Sequence, residues 1–202
     1  MSSFIGHGLA AVTTYAAAAP SQRPFQSRLG TCAWLIRLLV IAWMPDIDHM
    51  IPALKMSQNE GLRITHSLFF SLLLPTLSAI ALYLSGLPRR HLYTCLWQSA
   101  IAGLSHPIMD WLVGVIGLPL FWPIHSAILY SPIGLLPSAG TPRWDNYYFY
   151  ENLFIELGIL LPLMALLLGT LSWKKNRLNF WQMASLTAVL GYFLHWSMGL
   201  TR

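Results

Sequence analysis

Charge is what this chain has least of: Lys, Arg, Asp and Glu make up 9% of its 202 residues, and only seven of those are acids. An ordinary soluble domain carries about a quarter charged residues, so a water-facing surface of normal make-up is excluded. Cysteine is equally scarce. Cys32 and Cys95 both sit in apolar runs without Cys-x-x-Cys spacing, which argues against a thiolate metal knuckle and reads both thiols as packing residues. There is no internal repeat and no low-complexity tract. The first apolar run lacks a basic flank, so no cleavable signal peptide is expected.

What the chain has instead is apolar mass, with 55% hydrophobic and 13% aromatic residues and a mean hydropathy of +0.55. These values indicate an integral membrane protein, read as a single all-α polytopic helix bundle over residues 1–202. Six apolar helical segments can be marked off: Phe4 to Ala19, Leu29 to Met44, Ile64 to Leu84, His91 to about Gly117, Glu151 to Trp173 and Phe180 to Leu200. Pro45 stops the second, and Thr65 is placed to cap the third. Pro75, Pro107 and Pro162 lie inside helical patterns, which membrane bundles tolerate when neighbouring helices satisfy the freed carbonyls. The one long connection, 118–150, is rich in Pro, Trp and Tyr, and loops of that length usually carry function. Most tryptophans flank the segments, as an interfacial belt would place them.

Alternating segments send Arg23, Arg28, Arg89, Arg90, Lys174, Lys175 and Arg177 to one face, which the positive-inside rule makes cytoplasmic. The opposite face receives Asp46, Asp48, Glu60, Asp110, Asp145, Glu151 and, deeper, Glu156, which is every acid in the chain. The formal charge of +5 is then a matter of topology, and no nucleic-acid role follows from it. Arg37 is the only basic residue well inside a span. An unpaired charge there is costly, so the expectation is a carboxylate partner, Glu156 across the bundle or the acids around Asp46.

The densest cluster of chemistry is Pro45-Asp46-Ile47-Asp48-His49, two carboxylates and an imidazole in a prolyl turn directly after an apolar run. His7 in the first segment, His66 at the start of the third and His106 with Asp110 in the fourth are expected at the same acidic face. A spacing of four puts His106 and Asp110 on one side of a helix. Imidazoles and carboxylates together suit zinc, manganese or iron, and a bridging Asp can hold two metals about 3.5–4 Å apart. Asp48 and His49 read either as ligands or as hydrogen-bond partners that orient them. His91 and His195 read as interfacial or packed residues.

The order Gly6-His7, PDIDH at 45–49, Thr65-His66-Ser67, Leu104-Ser105-His106 with Asp110, and Gly117-Leu118-Pro119-Leu120-Phe121-Trp122-Pro123 resembles the bacterial membrane-bound metal-dependent hydrolases, some of whose members are controlled by the SOS repressor. The resemblance covers roughly residues 5–125 and extends distantly to zinc-dependent phospholipase C and its related nucleases. It implies a phospholipase C-like metal site of His7, Asp46, His66, His106 and Asp110, holding one or two divalent ions, zinc first, with His125 as a further ligand or substrate contact. The implied activity is hydrolysis of a phosphoester, a membrane lipid head group among the candidates, at the non-cytoplasmic face of the bacterial inner membrane. Asp46 or Asp48 would act as base, and Arg63 would hold a phosphate oxygen or anchor at the interface. Two departures stand out: Gly61-Leu62-Arg63-Ile64 replaces the family's His-Arg-Gly, and no HxxxE is present for a third ion. A non-catalytic metal-binding protein, or a structural membrane protein whose polar cluster holds helices together, would carry many of the same residues.

Overall fold

The computed structural model describes residues 1–140, 143–171 and 178–200. It contains six α-helices, α1 (Phe4–Ala17), α2 (Arg28–Trp43), α3 (Leu68–Leu84), α4 (Arg89–Val113), α5 (Tyr147–Thr170) and α6 (Phe180–Met198), with short 3₁₀ turns between them. Among the described residues there is no strand, only an isolated antiparallel bridge between Leu118 and Leu129. Each helix falls on an expected apolar segment, with shifted ends. Ile64–His66 form a separate 3₁₀ turn, and it is Ser67 that caps α3, its Oγ accepting from the Phe70 amide at 3.2 Å. Thr65 is therefore not the cap. α4 ends at Val113 because Gly114 turns to a φ of 74°, and α5 begins at Tyr147, a turn before Glu151. Trp173, Lys174, Lys175 and Arg177 lie outside the described residues.

Among the described residues, two stretches are long and apolar enough to cross a membrane, Arg28–His49 with a hydropathy of 1.4 and Tyr147–Thr170 with 2.2; α3 is apolar but shorter. Six crossings therefore do not follow from helix length. α1 has 14 residues and α3 has 17, short of the roughly 20 that a perpendicular span takes.

The chain clusters into two compact units. One comprises Ala10–Ile108 and Leu118–Leu129 and is built like a membrane protein, with small and polar residues inward and large apolar ones outward. α3 shows the pattern most plainly: Ser71, Pro75 and Ser78 are buried, while Phe69, Leu73, Leu77, Ile80 and Leu84 face out. Gly103 of α4 lies against the Ser71 carbonyl so closely that any Cβ would collide with it. The apolar centre of this unit is Ala11, Trp34, Leu38, Ile41, Ala42, Cys95 and Ala102. Cys95 packs there as expected, whereas Cys32 faces out from its helix and is not a core residue. Trp34 departs from the interfacial belt: it is buried, and its indole donates to Gln98 Oε1 at 2.7 Å. Gln98 Nε2 in turn donates to the Thr14 and Tyr15 carbonyls, at 3.2 and 3.3 Å. Those carbonyls belong to the last turn of α1, where Tyr15 O also accepts from the Ala18 amide at 3.3 Å, so Gln98 adds a donor to the helix end.

Arg37 finds no carboxylate. Its Nε donates to Ser78 Oγ at 3.2 Å and its guanidinium stands over the Trp34 ring at 5.8 Å. A hydroxyl on the neighbouring helix and an aromatic face one turn away do what an acid was expected to do, the ring contributing of order 0.5–2 kcal/mol.

The other unit comprises Met1–Leu9, Met109–Gly117 and the chain from Tyr130 onward. α5 and α6 pair within it, and Gly158 leaves room for the Phe193 ring. Phe193 stacks on Trp196 at 6.0 Å and takes Phe154 edge-on at 5.3 Å. Glu156 is fully buried on the inward side of α5 beside Ile155, Ile159 and Leu160. Its carboxylate accepts from Ser2 Oγ and from the Ser3 amide at 3.0 Å, so the pairing expected with Arg37 is replaced by contacts near the start of α1.

A branched side chain at position 103 should separate α3 from α4. Gly103→Val is expected to cost roughly 1–3 kcal/mol, by analogy with overpacked cores, read as a lower unfolding midpoint in detergent. Gly191→Ala is the control, because nothing lies within 4 Å of the added methyl.

Candidate metal centre

Pro45 begins the site. After Trp43 the chain tightens into a 3₁₀ turn, Met44–His49, with amides reaching back three residues at its two ends, Met44 N–H to Ile41 O and Met50 N–H to Ile47 O. The next carbonyl in that series, Ala42 O, would be taken by the amide of residue 45, and proline has none. His106 supplies the missing donor from α4, with Nδ1 at 2.7 Å from Ala42 O. A carbonyl only accepts, so Nδ1 carries the proton, and in the neutral ring Nε2 presents a lone pair.

That lone pair faces two other donor atoms. His106 Nε2 lies 3.3 Å from His66 Nε2 and 3.7 Å from Asp46 Oδ1, and His66 Nε2 lies 3.6 Å from the same oxygen. The His66 ring is set by Thr65, whose Oγ1 is 3.0 Å from Nδ1. The point equidistant from the three atoms is about 2.0 Å from each, the length of a zinc–imidazole or zinc–carboxylate bond. Both imidazoles are fully buried, while the Asp46 side chain is 28% exposed, so solvent reaches the triangle from the carboxylate side. The donor set thus fits a borderline divalent cation held by three protein ligands with room for a fourth.

Around Asp46 lies a second layer of charge. Arg63 is buried and forks onto Asp48, Nε to Oδ2 at 2.8 Å and Nη2 to Oδ1 at 2.9 Å. Its Nη2 also lies 3.5 Å from Asp46 Oδ1 and 3.4 Å from His49 Nε2. Arg63 therefore clamps the PDIDH turn and is turned inward. Asp48 has both oxygens in the fork, whereas Asp46 is the more exposed of the two acids. His49 stands at the rim, its side chain 65% exposed and 3.9 Å from both carboxylates. His125 is in the exposed loop, with Nδ1 accepting from the Ala127 amide at 2.9 Å, and is grouped with no other candidate ligand.

The second unit holds the remaining expected ligands. His7 Nε2 is 3.5 Å from Asp110 Oδ1, both side chains buried, and the Ser2 amide donates to that same oxygen at 2.7 Å. Residue-type spacing did not reveal Ser2, Ser3 or the Ala42 carbonyl as participants. The signals were the proline at 45, which frees a carbonyl, and the small residue at position 6, which leaves space for an acid.

An all-helical chain with lipid-type outer faces and buried imidazole–carboxylate groups defines a class of helical membrane proteins with a polar centre. Within that class the chain belongs to the YdjM inner membrane protein family, whose family model matches residues 1–150. No curated protein and no solved structure matches the chain.

Breaking the Arg63–Asp48 fork on one side should strand a buried charge. Arg63→Met and Asp48→Leu are each expected to destabilise by about 3–5 kcal/mol, and the double variant to recover most of that loss. Unfolding midpoints of all four proteins in one detergent measure it.

Proposed function

We propose that this protein is a membrane-bound, metal-dependent hydrolase acting on a phosphoester, with a lipid head group as the leading substrate class. The observation that carries the reading is the triangle of Asp46 Oδ1, His66 Nε2 and His106 Nε2, whose edges of 3.6, 3.7 and 3.3 Å suit one zinc-like ion. In this reading His7 and Asp110 are the ligand group of a second ion. All six helices lie in the bilayer, with the acidic face and its site on the non-cytoplasmic side.

A bound divalent cation would supply Lewis acidity, polarising the phosphoryl group and acidifying water. The chain supplies the rest. Asp46, whose side chain is 28% exposed, takes the proton from the attacking water. Arg63 lies beside Asp46, its guanidinium 3.5 Å from Oδ1. Thr65 and the Ala42 carbonyl hold the two imidazoles so that both Nε2 atoms meet near Asp46 Oδ1, the kind of support whose loss typically costs 10–100-fold in metal affinity or activity. His49, at the rim, is placed to meet the substrate.

Metal analysis of detergent-purified protein, followed by hydrolysis of bis-p-nitrophenyl phosphate and of phospholipid in mixed micelles, tests the reading. Asp46→Asn and His106→Ala should each lose bound metal and fall to background hydrolysis, since a carboxamide is a poor ligand for such a cation. His91→Ala and His195→Ala should retain both. Unchanged metal content in the two cluster variants would overturn the proposal, and metal bound without turnover of any phosphoester would favour a metal-binding protein that is not an enzyme.

A further inference from the structure

Glu156 lies outside the residues the family model matches and outside every motif of the site, yet it is the most completely buried acid in the chain. Burying a carboxylate in a membrane helix is expensive, and such residues are retained for what they hold. This one holds the segment before α1. Its Oε1 accepts from Ser2 Oγ and from the Ser3 amide at 3.0 Å, and Oε2 is 3.2 Å from the same amide. Ser3 Oγ in turn accepts from the Gly6 amide at 3.0 Å. Gly6 is where Glu156 comes nearest the helix, and an added Cβ would overlap its carboxylate.

The consequence falls on the neighbouring acid. With the side chain of Ser2 and the amide of Ser3 fixed on Glu156, the Ser2 amide points to Asp110 and donates to Oδ1 at 2.7 Å. Asp110 Oδ1 is the oxygen 3.5 Å from His7 Nε2. We propose that Glu156 is the positioning residue of the His7–Asp110 pair, acting through the Ser2–Ser3 backbone to orient the Asp110 carboxylate for a divalent cation. The inference rests on the reading of His7 and Asp110 as metal ligands. It adds a third acid to the machinery, one that touches neither ion nor substrate.

Two measurements test it on the full-length protein in detergent. The first needs no metal: in serine-¹⁵N-labelled protein, the Ser2 amide should show the downfield proton shift of a short bond to a carboxylate. Asp110→Asn should reduce the shift and Glu156→Ala should abolish it, whereas Glu156→Gln should keep it, because an amide oxygen still accepts from Ser2 and Ser3. The second is zinc affinity by chelator competition. Glu156→Ala should weaken the second ion by about 10–100-fold and leave the first unchanged. Glu156→Gln should stay within a few-fold of wild type, and Gly6→Ala, which removes no polar group, should behave like Glu156→Ala. A folded Glu156→Ala protein with the wild-type Ser2 shift and wild-type affinity for both ions overturns the positioning role. If the wild type binds no second ion, the ligand reading of His7 and Asp110 falls, and the Ser2 shift alone still decides whether Glu156 sets that backbone.

Discussion

In hydrocarbon a carbonyl that loses its amide partner must find another donor within the protein, and much of the site follows from one such loss. Pro45 cannot donate to Ala42 O, and His106 does so instead. That bond stitches α4 to the end of α2 and also decides which nitrogen of His106 carries the proton. Nε2 is then committed to the His66 and Asp46 side, where a cation would be welcome. A helix ending and a ligand orientation are here the same event.

The same rule governs the rest of the interior. Gln98 covers the last carbonyls of α1 and accepts from Trp34, so a single amide side chain ties three helices together. Arg37 makes do with a hydroxyl and an indole face. Polar groups in this chain are therefore not marks of function in themselves. What separates the Asp46–His66–His106 group from the structural bonds is that its atoms face one another, two imidazole nitrogens and a carboxylate oxygen, where donors and acceptors would ordinarily alternate.

The helices were legible in the sequence because each is an apolar run ended by Pro, Gly or a polar cluster. Their ends were not: Thr65 was expected to cap the third helix, but the extended backbone and the accepting Oγ belong to Ser67, two residues on. The PDIDH cluster was legible for the converse reason: acids are so rare here that two within three residues stand out. The fork of Arg63 was not legible, because its partner Asp48 lies fifteen residues earlier. Glu156 was recognised as deep but assigned to the wrong partner. The burial cost correctly demanded a bonding group, and charge alone favoured Arg37 over two serines, but hydrogen bonds satisfy a carboxylate as well as a counter-ion does.

Arg63 also gives the departure at Gly61-Leu62-Arg63-Ile64 a physical meaning. Glu60 and Gly61 both take positive φ, 53° and 81°, so the chain reverses sharply just before the arginine. That reversal, followed by the 3₁₀ turn Ile64–His66, delivers Arg63 to Asp48 and His66 to Asp46 within four residues. One buried cation balances the PDIDH carboxylates. It holds Asp48 away from the triangle and leaves Asp46 as the acid with a solvent-reached side, so two acids two residues apart are assigned different work by a single guanidinium.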